Sequence, residues 1–296
     1  MAMARGARLA LYAIGAVALV IVLAVAGFAL TFDPNKYKPA IIEQVKDRYQ
    51  RTLAIEGDLG VTLFPRLGVS LGRTSLSAVA SADRFAAVER ASVSLALGPL
   101  LARRVVIDRV RLEGLEANLV KHKDGSTNYD DLIGAKKPSA PSAPSPTGGG
   151  GFAVELSGVD VRNAQVHWRD EAGGTDVQVI GMDLSTGPIG TDAPGKLTLK
   201  GRIVGTQPKI AATVSGSSGY RADLAAGAVA LDNLDLRVSG DLPGLAGLEA
   251  NLSGSASYDP KANVVSLANM LLAAKYADGT LTVRSGDALG SLSALA

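Results

Sequence analysis

The feature that most constrains this chain is an uncharged apolar run of 22 residues from Leu9 to Leu30. At 1.5 Å per helical residue the run covers about 33 Å, close to the roughly 30 Å hydrocarbon thickness of a bilayer. It is also longer than the apolar core of an ordinary secretory signal. The run therefore predicts one membrane anchor, followed by a long extramembrane module.

Two properties of this anchor stay open at the level of sequence. Ala24-Val25-Ala26 fits a small-x-small cleavage site, so a cleaved signal is the alternative to a retained helix. Arg5 and Arg8 favour an internal N-terminus, but basic residues between positions 36 and 51 follow on the other side. Long domains cross membranes largely regardless of charge, and we therefore expect the domain to lie outside.

Composition excludes several classes of protein. With 30 basic and 28 acidic residues the net charge is +2, and basic residues do not cluster with aromatic ones as a base-stacking surface requires. We therefore expect no nucleic-acid partner. The chain has no cysteine, which removes disulfides, thiol nucleophiles and cysteine metal sites together.

Short apolar strips with a two-residue period fill most of the remaining chain. From Leu197 to Ile203, apolar side chains alternate with Thr198, Lys200 and Arg202, which is typical of a strand with one buried face. Glycine-containing turns separate the strips, as in antiparallel sheets. The pattern therefore predicts a mainly β protein. The same period recurs in segments 93–97, 106–112, 210–214, 248–253 and 280–284.

Two internal repeats indicate stacked units. Val229, Leu231 and Asn233 recur 36 residues later within the segment 265–269, and a tyrosine precedes each copy. A fainter pair sets segment 110–119 beside segment 159–168. Repeats of this size usually mark supersecondary units that bury an apolar face against their neighbours. Chance similarity between strips rich in Ala, Leu and Gly is the alternative.

One short amphipathic helix is predicted outside the membrane. Pro39 suits a first helical turn, and Ile41, Val45 and Tyr49 then share a face at intervals of four. This face either packs on the first strands or lies along the membrane surface, and packing is the commoner use of such a face.

The sequence offers no catalytic or metal-binding constellation. His122 and His167 lie on different predicted strands and lack the partners of a zinc pair or a nucleophile. The oxygen-rich segment Asp124–Asp131 suggests calcium, but it lacks the downstream glutamate of an EF-hand, and a hairpin turn leading into a short helix fits it better. No paired carboxylates can be nominated. We therefore predict no enzyme activity, catalytic residue, cofactor or metal.

The order of these segments resembles the AsmA family. After the membrane helix, the resemblance rests on five sequence blocks: Phe32–Tyr37, Ile55–Leu59, Leu63–Gly68, Val105–Gly114 and Asp124–Leu132. It is strong over residues 5–135 and diffuse over the later strips. One departure is Gln50, where many relatives carry glycine at the helix end. The other is length, because the family usually continues further, which suggests a short member or a fragment.

The resemblance implies a single-pass protein of the Gram-negative inner membrane, with most of the chain in the periplasm. Its fold would be a curved, repeating antiparallel β-sheet that forms an open groove for lipid. Its role would lie in phospholipid transport and in outer-membrane biogenesis and protein assembly. The implied partners are membrane phospholipid, the inner membrane, and periplasmic or outer-membrane assembly proteins. The alternative is a non-enzymatic, membrane-tethered scaffold or chaperone-like module that influences protein targeting to the membrane.

Alternation and resemblance together give a domain plan and candidate groove residues. Residues 1–32 would form the cytoplasmic tip and membrane helix, 33–135 an AsmA-like β domain, 136–151 a linker rich in Pro and Gly, and 152–296 a groove segment that is truncated if the chain is a fragment. The candidate residues for contact with acyl chains are Leu197, Leu199, Ile203, Leu281 and Val283.

Overall fold

The fold is seen in a computed structural model that describes residues 33–62, 66–96, 98–99, 105–133, 154–189, 193–223, 227–286 and 288–291. The predicted anchor Leu9–Leu30 and the predicted linker 136–151 lie outside these residues. Among the residues described, the structure contains no helix with the length and apolarity needed to cross a membrane.

Helices are few, and strands make up most of the described chain. A 3₁₀ helix (Pro34–Tyr37) runs into α1 (Lys38–Tyr49), and α2 (Asp130–Ile133) lies between the eighth and ninth strands. The first nine strands are β1 (Leu53–Ile55), β2 (Leu59–Thr62), β3 (Leu67–Leu71), β4 (Thr74–Ser77), β5 (Arg84–Val88), β6 (Arg90–Leu95), β7 (Val105–Glu113), β8 (Glu116–Lys121) and β9 (Val154–Leu156). The others are β10 (Val159–Asp170), β11 (Thr175–Ser185), β12 (Gly195–Gln207), β13 (Lys209–Asp223), β14 (Ala228–Leu242), β15 (Leu245–Asp259), β16 (Val264–Tyr276), β17 (Gly279–Ser285) and β18 (Ala288–Ser291). The predicted mainly β class is confirmed.

All of these strands belong to one open sheet. From β10 to β16 each strand pairs with the next in an antiparallel meander, and β16 then pairs with both β17 and β18. On the other side of β10 the sheet divides lengthwise into two ribbons. The ribbon β2-β3-β6-β7 follows the first half of β10, and the ribbon β1-β4-β5-β8 follows its second half. The sheet is therefore continuous across the predicted boundary at 136–151, and the domain plan stays a prediction.

The prediction of a purely antiparallel sheet is wrong for three strand pairs. Strand β10 runs parallel to β7 and β8, and β9 runs parallel to β7. Parallel neighbours need a connection of about a dozen residues or more. The chain between Lys121 and Val159 is long enough to return to the starting side of the sheet. Alternating side chains show which face is buried, but they do not encode strand direction.

The fainter sequence repeat corresponds to this parallel pairing. Val110 pairs with Val159 and Leu119 pairs with Trp168, so the two copies lie side by side in register. Both copies bend at the same place, where Gly114 and Asn163 have φ angles of 62° and 51°. Such left-handed conformations suit Gly and Asn. The repeat therefore consists of two bent segments of similar sequence that pair side by side in the sheet.

The stronger repeat marks two equivalent bulges in the meander. Asn233 in β14 and Asn269 in β16 both have a φ angle of 52°, and each lies where the register with β15 shifts by one residue. A bulge adds one residue to one strand, bends it and increases its twist. Sequence similarity at this spacing therefore reflects a two-strand unit that curves the sheet in the same way each time.

The helix predicted from Pro39 is confirmed as α1, although its packing differs from the prediction. Ile42 and Val45 are half-buried, and α1 contacts β1. Ile41 and Tyr49 remain 38% and 36% exposed, and α1 contains no buried residue. The predicted apolar face is therefore only partly buried, because α1 lies at the edge of the sheet and not over its face.

Candidate functional site

One face of the sheet carries an unbroken row of apolar residues from its first edge to its last. The row contains one residue from each strand in the path β2, β3, β6, β7, β10, β11 and on to β17, and each member pairs directly with the next. We call it the central row: Leu59, Leu71, Ala91, Leu112, Val161, Leu184, Leu199, Gly216, Leu236, Leu252, Leu272 and Val283. Directly paired residues point to the same face, so these side chains form one apolar stripe perpendicular to the strands.

A second stripe runs parallel to the central row on the same face. It begins in the other ribbon and crosses to β15, and none of its members is polar. The members of this second row are Leu53, Leu76, Ala86, Ala117, Val166, Val179, Ile203, Ala212, Gly240 and Leu248. The two rows together make an apolar surface several residues wide that contains no titratable side chain.

The structure places all five predicted groove residues on this face. Leu199 and Val283 belong to the central row, and Ile203 belongs to the second row. Leu197 precedes Leu199 by two residues on β12 and shares its side of the strand. Leu281 belongs to a third line of directly paired residues, which crosses β16, β15, β14 and β13 and ends at Gly201 on β12. This line lies between the two rows. Distant parts of the sequence therefore meet on one surface, although no observation yet tests their contact with lipid.

Burial distinguishes the two faces of the sheet. Along β12, Leu197, Leu199 and Ile203 are half-buried, while the intervening Lys200 and Arg202 are exposed. Within the described part of the chain, β12 to β15 make their main contacts with neighbouring strands, so the sheet here is one layer thick. Low exposure of the apolar side chains then follows from the sheet's own curvature and from contacts within the rows. The apolar face is the inner face of an open, curved sheet.

The two edges of the sheet differ in how far other elements of the chain cover their apolar residues. At the first edge the 3₁₀ helix contacts β2, and Leu59 is only 8% exposed. At the last edge Leu281 and Val283 are each 48% exposed. Within the part of the chain that the structure describes, the groove is therefore closed beside the N-terminal helices and open at β17.

The outer face is polar and its charges are mostly paired. A cavity of about 460 Å³ on this face is lined by Asp160, Asp183, Lys200 and Arg237, among others. Arg109 Nη1 lies 3.1 Å from the Asp160 carboxylate, and Lys200 Nζ lies 3.0 Å from that of Asp183. Among the described residues there is no group of three or more His, Asp or Glu side chains that could hold a metal. This arrangement suits a solvated outer surface.

A buried arginine joins four separate segments of the N-terminal half. The Arg51 side chain is 0% exposed and donates to both carboxylate oxygens of Asp131, at 2.9 and 2.7 Å. It also donates to the carbonyls of Ser77 at 3.0 Å and Asn128 at 2.7 Å, and its guanidinium lies 4.4 Å from the Phe85 ring centroid. This Arg51 cluster fastens the end of α1 to β4, β5 and α2. The sequence does not predict this cluster, because a single arginine after a helix carries no periodic signal.

The segment Asp124–Asp131 forms the turn and short helix that its sequence predicts. Asp124 Oδ1 accepts hydrogen bonds from the Ser126 amide and hydroxyl, and the Thr127 amide donates to Asp130. These bonds occupy the oxygen atoms that had suggested calcium. The segment's role is structural, because it presents Asn128 and Asp131 to Arg51.

The departure from the family at Gln50 corresponds to a strained helix end. Gln50 caps α1 in the left-handed conformation, with φ 52° and ψ 34°. Glycine adopts this conformation without steric cost. We therefore expect Gln50→Gly to raise the free energy of unfolding by about 0.5–1 kcal/mol, as measured by urea denaturation. Gln44→Gly is the matched control inside the helix and should lower it by about 1 kcal/mol. A loss of stability in both variants would contradict the strain at Gln50.

Several aspartates of the described chain have a lowered pKa. The hydrogen bond from Arg51 lowers the pKa of Asp131, and the Asn163 amide and Lys200 lower that of Asp183. The Gly173 amide and Lys121 lower the pKa of Asp170. At Asp160 burial raises the pKa, but the Ser185 hydroxyl and Arg109 outweigh it, so the pKa is lowered. In each case the folded protein favours the ionised carboxylate.

The lowered pKa values of Asp131 and Asp160, the two partly buried carboxylates, predict acid sensitivity. A carboxylate with a pKa lowered by folding stabilises the protein above its unfolded pKa of about 3.9, and that contribution is lost as the pH falls through the folded pKa. We expect the free energy of unfolding to fall by about 1–3 kcal/mol between about pH 7 and about pH 3. Urea denaturation at several pH values measures this change, and Asp131→Asn should show a smaller decrease. A stability independent of pH would contradict the argument.

A single-layer, curved β-sheet with one continuous apolar face and helices covering one edge defines a groove-forming class of protein. The AsmA family model matches residues 3–275, so the chain belongs to the AsmA family. This finding confirms the family resemblance read from the five sequence blocks.

Comparison with known proteins also finds a characterised relative. The chain is 23% identical over 233 residues to Protein AsmA of Escherichia coli (strain K12). The alignment covers 76% of this chain and 36% of that protein, so the chain spans about a third of the relative's length. No solved structure matches the chain.

Proposed function

We propose that this protein is a single-pass protein of the bacterial inner membrane whose periplasmic sheet holds phospholipid acyl chains and takes part in phospholipid transport and outer-membrane biogenesis. The observation that carries the proposal is the central row, which presents twelve successive apolar or glycine positions across the sheet. Membership of the AsmA family supports it.

The physical basis is transfer of hydrocarbon from water to an apolar surface. Each buried methylene group of an acyl chain contributes about 0.8 kcal/mol. With strands about 4.8 Å apart, a row of twelve extends about 50 Å. An acyl chain moving along this row meets no charged or hydrogen-bonding side chain, so the free energy changes little from one strand to the next. Head groups stay in water, because the groove is open.

The proposal requires no catalysis. Neither row contains a titratable side chain, so acyl chains on this face contact no general acid, general base or nucleophile. The protein would act by offering an apolar surface to the acyl chains of a phospholipid while the head group stays in water, with no cofactor and no metal. The lipid, the two membranes and periplasmic or outer-membrane assembly proteins would be its partners.

Co-purified lipid tests the proposal directly. The full chain, extracted in detergent and washed, should retain phospholipid that is identified by mass spectrometry of the organic extract. A control membrane protein with a single span and a closed periplasmic domain, purified in parallel, corrects for annular lipid. An equal lipid content in both samples would contradict the groove and favour the membrane-tethered scaffold or chaperone-like module, in which another protein covers the apolar face.

A further inference from the structure

Four exposed side chains form a stripe along the N-terminal helices. Tyr37 is 57% and Ile41 38% exposed, and Gln44 and Arg48 are exposed as well. Tyr37 has a helical backbone, and the spacings of four, three and four residues place all four on one helix face. We call this set the Tyr37 stripe. It combines an aromatic ring with a phenolic hydroxyl, a branched aliphatic chain, an amide and a guanidinium.

The other faces of α1 have different surroundings. Ile42 and Val45 are half-buried towards the sheet edge. Glu43, Lys46 and Asp47 are exposed, and Glu43 and Lys46 fall more than a quarter of a helical turn from every member of the Tyr37 stripe, while Asp47 lies at the side of the stripe. The side of the helix that carries the Tyr37 stripe therefore combines Tyr, Ile and Arg, and Glu43 lies on the far side next to Lys46.

The length of the preceding chain limits where this stripe can lie. Only Thr31 and Phe32 separate the apolar run, which ends at Leu30, from the first described residue, Asp33. Three residue steps cover at most about 11 Å. If Leu9–Leu30 is retained in the bilayer, as the proposed function assumes, the 3₁₀ helix that leads into α1 begins within about 11 Å of the hydrocarbon boundary, at or just beyond the head groups. Tyr and Arg are the residues favoured at this depth.

We infer that the Tyr37 stripe docks on the outer surface of the bilayer that holds the anchor, with Ile41 among the upper acyl chains and Arg48 at anionic phosphate groups. Glu43 then points to water, away from the negative surface. The docking also orients the groove. The Asn35 side chain accepts a hydrogen bond of 3.0 Å from the amide of Leu59, the first member of the central row. A docked helix therefore brings the Leu59 end of the apolar row to the bilayer.

Site-specific fluorescence tests this docking in the full chain. Because the chain has no cysteine, Ile41→Cys, Glu43→Cys and Val204→Cys each give one labelling site for a bimane probe. The proteins are reconstituted in nanodiscs of phosphatidylethanolamine and phosphatidylglycerol with brominated acyl chains, which quench the probe on contact. We expect quenching at position 41 to exceed that at position 43 by about threefold or more. Position 204, which is apolar and 37% exposed on the outer face of β12, controls for nonspecific contact and should not be quenched.

Equal quenching at positions 41 and 43, or at neither, would overturn the docking. A separate variant tests how much the positive charge of Arg48 contributes to the docking. Arg48→Glu should reduce quenching at position 41 in nanodiscs that contain phosphatidylglycerol, and a neutral phosphatidylcholine nanodisc should abolish the difference between the two proteins. Failure of these tests leaves lipid in the groove measurable by extraction, so the docking and the proposed function can fail separately.

Discussion

Replacing Arg51 with alanine is expected to lower the free energy of unfolding by about 3 kcal/mol or more, the largest effect of any single substitution outside the groove. The Arg51 side chain is fully buried and donates to Asp131 and to the carbonyls of Ser77 and Asn128. The alanine variant leaves these acceptors without their donor and removes the cation beside the Phe85 ring. Urea denaturation of the full chain in detergent, followed by circular dichroism, gives the difference.

Arg90→Ala is the matched control. Arg90 forms a 2.9 Å ion pair with Glu113, but its side chain is 76% exposed. Exposed pairs of this kind contribute between 0 and about 1 kcal/mol. If both variants lost the same stability, the Arg51 cluster would not hold the N-terminal half together, and the turn 124–131 would need another function.

Leu199→Asp is expected to have the largest effect on lipid content. Leu199 lies in the middle of the central row, and a carboxylate there has no cationic partner among the row residues that surround it. Transfer of an unpaired charge to an apolar surface costs several kcal/mol, so retained lipid should fall by about tenfold or more. The measurement is phospholipid per protein after detergent extraction.

Two controls separate the charge from other effects of the substitution. Leu199→Ala keeps the row apolar and should retain most of the lipid. Lys200→Asp introduces the same carboxylate one residue away on the outer face, where Lys200 is 68% exposed and its ion pair with Asp183 contributes at most about 1 kcal/mol. Lipid loss in Lys200→Asp equal to that in Leu199→Asp would mean that lipid does not distinguish the two faces.

The elements that the sequence predicts are those that a local pattern determines. In β12 the alternation between Leu197 and Ile203 sets one buried face whatever the strand pairs with, so its orientation could be read from residues alone. The bulges at Asn233 and Asn269 were visible as a repeat, because a left-handed position restricts which residue can occupy it. Pro39 marked the start of α1 for a similar reason.

The elements that the sequence does not predict depend on contacts between distant segments. Parallel pairing of β10 with β7 and β8 follows from the long return connection, which has no signature in either strand. The Arg51 cluster joins residues separated by as many as 80 positions. The central row is a property of register across many strand pairs. Alternation showed that each strand has an apolar face, but only the pairing shows that these faces join without a break.

Photo-crosslinking across the two faces tests the central claim most directly. A diazirine-bearing amino acid is placed in the full chain at Leu199, Ile203 and Val283, and at their outer-face neighbours Lys200, Arg202 and Thr282, and irradiated in native membranes. If the apolar face holds acyl chains, the first three positions capture phospholipid, detected by mass spectrometry, and the second three do not. Equal capture at both sets of positions, or capture at neither, would contradict a lipid groove on this face.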